Sequence, residues 1–415
     1  MKRILINSVQ EGRLCVAYIN GQNLYDLDIE YSKYKHRKLN IYKGKVIRIE
    51  SSLNAAFIDY GANKCGFLPF KEISETYFLK EKTNKIYHNY NNILKLGQEC
   101  IVQISKQERG KKGVSLTTFI SLISSYLILM PINPGLKGIS KKIQGKNRIN
   151  LKRMFVTLNI PSKMGLIIRT SGLKKSTIDL QEDLNVLLKH WKNIQKIAEI
   201  SSVPFLIYQE ENIIFRTVRD YLCKDISEIL VDNPITLNDM YNYLCILKRY
   251  DFKDKIKLYS GKNSLFEHYQ IQSQIDSIFQ RIVQLPSGGS ITIDSLEALT
   301  AIDINSCKSI KGVNIEQTAF NTNLEAIYEI ARQLRLRDLG GLIVIDFINM
   351  KTFNNKKSIL HSLRHFLKKD RAIIKIGNIS KFGLLEMSRQ RLNFFRKKFN
   401  YFLCTMCNKK YEIQY

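Results

Sequence analysis

The sequence is poor in the residues that mark specialised classes of chain. Its 7 prolines and 21 glycines in 415 residues are far too few for a collagen-like or low-complexity protein. The 8 cysteines lie far apart, Cys404 and Cys407 excepted. No framework of a small secreted disulfide protein is present, and a reducing compartment fits better. Long hydrophobic runs are missing too. The most apolar stretch, 119–131, is interrupted by Ser121, Ser124 and Ser125 and is too short to cross a bilayer. The opening Met1-Lys2-Arg3-Ile4-Leu5-Ile6-Asn7 lacks the apolar core of a secretory signal. These absences predict a soluble, intracellular chain.

Carboxylates are the most conspicuous shortage: 37 Asp and Glu stand against 65 Lys and Arg, a net charge of +28 and a pI near 9.6. So large an excess repels itself unless a polyanion offsets it, which favours nucleic acid or an anionic membrane surface as partner. Abundant Lys, Ile, Asn and Tyr are also what an AT-rich coding sequence yields, so compositional drift is a second source of the charge. With 44% hydrophobic residues the chain has the makings of several globular cores, at roughly 100–200 residues per domain.

Period-two alternation runs through Leu14-Cys15-Val16-Ala17-Tyr18-Ile19 and Leu24-Tyr25-Asp26-Leu27-Asp28-Ile29, with Asn20-Gly21-Gln22-Asn23 between them. This predicts two strands and a turn. A basic loop at 34–38 follows, and then short β-type runs separated by glycine at 44–49, 55–61, 65–68, 98–104 and 113–117. About five such strands predict a small closed barrel of the OB type. Residues 164–169 read as a strand, and 180–200 and 238–248 as helices. The C-terminal part predicts a hairpin from 290–294 and 299–305. Phe320, Leu324, Ile327, Ala331 and Leu334 then share one helix face. Gly340-Gly341 is expected to end that helix, and 342–348 to form a buried strand.

Two of these strands carry candidate chemistry. Alternation puts Asp303 and Asn305 on one face while Ile302 and Ile304 point to the core. Asp346 interrupts an apolar run, where a lone carboxylate is costly. Mg²⁺ takes one or two carboxylates plus waters and phosphate oxygens, so the pair suits a phosphodiester site. Helix capping or pairing with arginine are the bland alternatives for each Asp. Phe57 and Phe67 either stack on unpaired bases or fill the barrel core. Cys404 and Cys407 are half of a tetrahedral zinc site, a redox pair, or an accident of spacing.

Longer motifs then narrow the choice. Leu299-Thr300-Ala301-Ile302-Asp303-Ile304-Asn305-Ser306 is followed by Thr318-Ala319-Phe320-Asn321-Thr322-Asn323-Leu324-Glu325-Ala326. Arg332-Gln333-Leu334-Arg335-Leu336-Arg337-Asp338-Leu339-Gly340-Gly341 and Phe382-Gly383-Leu384-Leu385-Glu386-Met387-Ser388-Arg389-Gln390-Arg391 come next. Together they strongly resemble the ribonuclease E/G family of endoribonucleases. Leu24-Tyr25-Asp26-Leu27-Asp28-Ile29-Glu30 and Asn40-Ile41-Tyr42-Lys43-Gly44 look like its E branch rather than its G branch. The resemblance spans nearly the whole chain.

It implies a multidomain α/β architecture. An RNase H-like domain (1–35 with 216–278) would surround an S1-type RNA-binding OB barrel (36–119) and a 5′-sensor region (120–215). A DNase I-like catalytic domain (279–400) and a zinc-link segment (401–415) would follow. It further implies that Asp303 and Asp346 hold a catalytic Mg²⁺, with Asn305 hydrogen-bonding near the scissile phosphate. Phe57, Phe67 and Lys112 would bind RNA, and Arg169 with Thr170 would sense a 5′-monophosphate. Cys404 and Cys407 would share a structural Zn²⁺ with a second chain in a dimer, from which a tetramer could be built. Expected substrates are single-stranded AU-rich segments in rRNA and tRNA precursors and in mRNA under decay. The expected site is the cytoplasm or an organelle stroma. With the chain ending at Tyr415, the membrane-binding segment and degradosome-partner sites of the family's tail are not expected. The chain departs from the pattern where Ile373 replaces the second sensor arginine and Ser124 a glycine, which implies a weaker preference for 5′-monophosphates. A G-type enzyme with a narrower substrate set and a non-catalytic RNA-binding scaffold are the rival readings.

Overall fold

The computed structural model describes residues 1–9, 13–31, 38–77, 94–107, 113–133, 135–210, 212–222, 225–247, 249–296, 298–306 and 314–392. Among these residues the strands form four sheets. No described helix is long and apolar enough to cross a membrane.

The first sheet joins the two ends of a long insertion. Its strands lie in the order Ile256–Leu258, Ile226–Val231, Lys2–Val9, Arg13–Asn20, Asn23–Tyr31. Ile4 pairs with Ile229 in parallel, so the chain leaves this domain after the third strand and returns some two hundred positions later. The predicted hairpin is present. Gly21 makes its turn at φ +64°, a conformation glycine adopts without steric penalty, and its N–H donates to the Met1 carbonyl at 2.8 Å.

The insertion begins with a barrel of Ile41–Glu50, Ala55–Asp59, Gly66–Pro69, Ser115–Thr117 and Glu99–Lys106. Pairing of Ile41–Glu50 with Glu99–Lys106 closes it, which removes the free edges. Val46, Ile58, Leu68, Val102, Ile104 and Leu116 fill the interior. Gly44 and Gly66 pack where a methyl group would come within 2.8 Å of Asp59 O and 2.3 Å of Leu116 Cδ1, respectively. The short strand Phe205–Tyr208 pairs along Ile41–Glu50 from outside.

A four-stranded sheet follows, in the order Lys137–Ile139, Gly165–Ile168, Leu127–Met130, Leu122–Ile123. The helix Thr177–Ile200 packs on it, burying Leu180, Leu184, Leu187, Trp191, Ile194 and Ala198 at helical spacing. Ser176 and Asp179 start that helix with a capping box, worth about 1 kcal/mol. The helix Gly145–Val156 escapes sequence reading because it buries only Leu151 and Phe155, too few to make a periodic stripe. The helix expected at 238–248 begins earlier, at Pro234, because Asn233 caps Ile235 N and proline suits the first helical position.

The last sheet runs Ile282–Gln284, Ser290–Ser295, Leu299–Asn305, Gly341–Asp346, Leu384–Arg389, Ile374–Ile379. Helices Ile315–Leu336 and Phe353–Leu367 cover one face. Against them pack Ile291, Ile293, Ile302, Ile304, Ile343, Ile345, Phe347, Leu385 and Met387. Three expectations need correction. The first helix stops at Leu336, before the glycines, and Asp338 (φ +46°) and Gly341 (φ +102°) make the turn. Ile327, Ala331 and Leu334 are buried as expected, but the buried side extends toward Ala319, Asn323, Ala326 and Ile330, which leaves Leu324 at 38% exposure. The strand expected to be buried is covered on one face alone: Leu342 is 46% exposed, and Asp346 is exposed as well.

Candidate active site and RNA-contact surfaces

Leu299–Asn305 and Gly341–Asp346 are parallel neighbours joined through the helix Ile315–Leu336. Sites in such α/β units lie beyond the carboxyl ends of the strands. The last rung of this pairing is Asp303 with Asp346. Both carboxylates stand on the open face of the sheet. Asn305 lies on the same face two residues on, and its Nδ2 donates to Asp303 Oδ2 at 2.8 Å. Partial burial, and then the Asp303 carboxylate beside it, push the Asp346 carboxyl above the usual carboxylate range. Among the described residues neither Asp caps a helix or pairs with an arginine.

Such a pair fits Mg²⁺. Two adjacent carboxylates with no ion-paired cation among the described residues leave room for waters and phosphate oxygens, which Mg²⁺ keeps. No group of three His, Cys, Asp or Glu that could cage a metal occurs among the described residues, so the arrangement is unlike an all-protein zinc or calcium site.

Phe57 and Phe67 pair directly across two barrel strands, rings edge to face at 5.9 Å. Each is half-exposed, while their strand neighbours Ala56, Ile58, Gly66 and Leu68 are buried. Both rings therefore lie outside the barrel core. Sequence reasoning missed Arg48, whose guanidinium lies over the Phe57 ring at 4.4 Å, an arrangement that offers both a π-face and a cation. Lys112 lies outside the described residues, as do Cys404 and Cys407.

At the expected 5′-sensor, Arg169 follows the strand Gly165–Ile168 and Thr170 is exposed at the start of a short turn. Arg169 donates to the carbonyls of Ser124 and Ser125 and to Asp220. Burial alone would raise the Asp220 carboxyl, yet Arg219 and Arg169 outweigh it and hold it below the usual range. The hydroxyl of Ser124 donates to Asp183. Ile373, 57% exposed, precedes the strand Ile374–Ile379, and Lys375 is exposed two residues on. The two regions also touch: Lys142 Nζ donates to Asp370 O at 2.6 Å. Neither Asp220 nor Lys142 carried a local sequence signal.

The ribonuclease E/G family model matches residues 121–392, and the S1 RNA-binding domain model matches 35–119. The chain belongs to the ribonuclease E/G family. It is 58% identical to "Ribonuclease E" of Buchnera aphidicola subsp. Schizaphis graminum over 98% of this chain and 42% of that protein. Ribonuclease E of Escherichia coli is 56% identical over 98% of this chain and 38% of its own length. Ribonuclease G of the same bacterium is 32% identical over 97% of this chain and 82% of its own length. The similarity is thus greater to the E branch, and the chain spans about two-fifths of those two ribonuclease E proteins.

Proposed function

We propose that this ribonuclease E/G family chain is a Mg²⁺-dependent endoribonuclease that cleaves single-stranded, AU-rich RNA and leaves a 5′-phosphomonoester. The observation that carries the reading is the rung of Asp303 and Asp346 on an open sheet face, with Asn305 bound to Asp303. Asp303 and Asp346 would hold the ion, and Asn305 orients Asp303 and keeps an amide available to a phosphate oxygen. When bound, Mg²⁺ supplies positive charge to the phosphate and lowers the pKa of attacking water. The raised pKa of Asp346 means that protons and the cation compete for the same carboxylate.

RNA is held by stacking on Phe57 and Phe67 beside Arg48, a sequence-tolerant contact that suits unpaired bases. Arg169 already engages Asp220 and Ile373 supplies no cation, so we assign a weak preference for 5′-monophosphates. The RNase H-like and DNase I-like domains of the family are the framework proposed for the first and last sheets. Processing of rRNA and tRNA precursors and mRNA decay in the cytoplasm are the proposed roles. Cys404 and Cys407 are assigned to one zinc ion shared by two chains; Cys404→Ser should lower both zinc content and mass in light scattering, and a metal-free dimer would refute the link.

The deciding assay is cleavage of a short AU-rich single strand with and without Mg²⁺. Cleavage with Mg²⁺ alone supports the reading; RNA binding without cleavage would favour a scaffold.

A further inference from the structure

We infer that the helix Ile315–Leu336 holds Asp346 in register with Asp303 through Asn323, while Glu316 fixes the far end of the same loop. Asn323 is then a positioning residue, and the inference rests on reading Asp303 and Asp346 as the metal-binding pair.

The strand ladder gives out where the pair sits. Asp346 ends its strand, and its pairing with both neighbours stops there, at Asp303 and at Leu384. The next amide, Phe347 N, reaches Gly383 O at 3.4 Å, a weak bond. One residue on, Asn323 takes the place of a strand neighbour. Its Nδ2 donates to Ile348 O at 2.8 Å, and Ile348 N donates to its Oδ1 at 3.1 Å. Asn323 is fully buried, at 0% exposure, on a helix that also buries Ala319, Thr322, Ala326, Ile327 and Ile330. Asparagine is a modest helix former, and an aliphatic side chain would suit that core better. The backbone of Ile348 is what the amide is there to meet.

Two helical turns earlier, Glu316 accepts from Lys351 N at 2.9 Å, Thr352 N at 3.2 Å and Asn355 Nδ2 at 2.8 Å. One rigid helix therefore grips residues 348–352 at both ends. This matters because Asp303 and Asp346 repel each other, and an unanchored strand end would relieve the repulsion by moving apart. A pair that has separated binds a divalent ion less well, since outer contacts that orient ligands commonly account for about 10–100-fold in metal affinity or activity.

The test uses the full chain with Asn323→Asp, Glu316→Gln and Asp346→Asn. Asn323→Asp keeps the size and the acceptor but loses the donor to Ile348 O. Mn²⁺ binding is read by electron paramagnetic resonance, and kcat and KM on a short AU-rich strand. Asn323→Asp should weaken Mn²⁺ binding and lower kcat by about tenfold or more, with KM within about twofold and partial recovery at high Mg²⁺. Glu316→Gln, a half-buried side chain at the helix start outside the core, should leave folding intact and shift both in the same direction by a few-fold. Parental Mn²⁺ affinity and kcat in a folded Asn323→Asp protein would overturn the inference. If that variant does not fold, parental values in Glu316→Gln would overturn it. Mn²⁺ binding and cleavage that survive Asp346→Asn would instead overturn the metal-pair reading itself, a distinct result.

Discussion

The C-terminal sheet and the region proposed as a 5′ sensor treat their charges in opposite ways. On the sheet, Asp303 and Asp346 stand side by side with an amide and, among the described residues, no ion-paired cation, and partial burial followed by the like charge of Asp303 raises the Asp346 carboxyl. In the sensor region Arg169 is already held by Asp220, and Asp220 by Arg219, so the charges there are satisfied within the protein. On the proposed function, the first is a site that a ligand completes and the second one that must first give up an internal partner. An uncompensated pair gains from binding a cation, whereas a compensated arginine offers phosphate little beyond what Asp220 gives it.

The largest effect should come from breaking the carboxylate pair. Asp303→Asn or Asp346→Asn should lower single-turnover cleavage by about a thousandfold or more, because several kcal/mol of charge stabilisation is lost. RNA affinity measured without cleavage should stay within about twofold. Near-parental cleavage would show that the open pair is not the centre of the chemistry.

Binding on the barrel should respond next. Phe57→Ala or Phe67→Ala should weaken single-strand affinity by roughly 1–3 kcal/mol, with little change in melting temperature because both rings are half-exposed. Affinity should also fall steeply with salt in filter binding. Unfolding of either variant would return these rings to the core.

The sensor region is tested by freeing or completing it. Asp220→Asn releases Arg169 from its ion pair, and Ile373→Arg adds a cation where the exposed isoleucine stands. Each should increase the preference for 5′-monophosphate over 5′-hydroxyl RNA by a few-fold, on the scale of one charge-assisted contact. An unchanged ratio on matched substrates would mean that Arg169 was never the limiting group.

The smallest effect is on stability. Asp346 has a folded pKa raised above its unfolded value, so its contribution is favourable at acid pH and is lost as pH rises through the folded pKa. Metal-free Asp346→Asn should therefore be more stable than the parent at neutral pH by roughly 0.2–1 kcal/mol, the scale of an exposed charge pair, as read by denaturant unfolding. The gain should vanish at acid pH. A variant less stable at neutral pH would mean that the carboxylate has a partner there.

Much of this comparison was legible before any tertiary contact was known. Alternation placed Asp303 and Asn305 opposite Ile302 and Ile304, and both isoleucines are buried. The glycine-punctuated runs match the five barrel strands, and the helix expected at 180–200 is present as Thr177–Ile200. The helix Gly145–Val156 and the open face of Gly341–Asp346 were not legible. The helix has too thin an apolar stripe, and an apolar strand reads the same whether one face or two are covered.

The sequence by itself determined which side chains share a face, because periodicity and capping act within a few residues of each other. It also carried the family motifs that name the chemistry. Only the tertiary structure decided which faces meet. The strand that follows a long helix brings Asp346 beside Asp303, and barrel register puts Phe57 against Phe67 on the outside. Asp220, far along the chain, takes up Arg169. Each of these depends on pairing between distant segments, whose partners are chosen by the packing of whole cores and not by any local pattern.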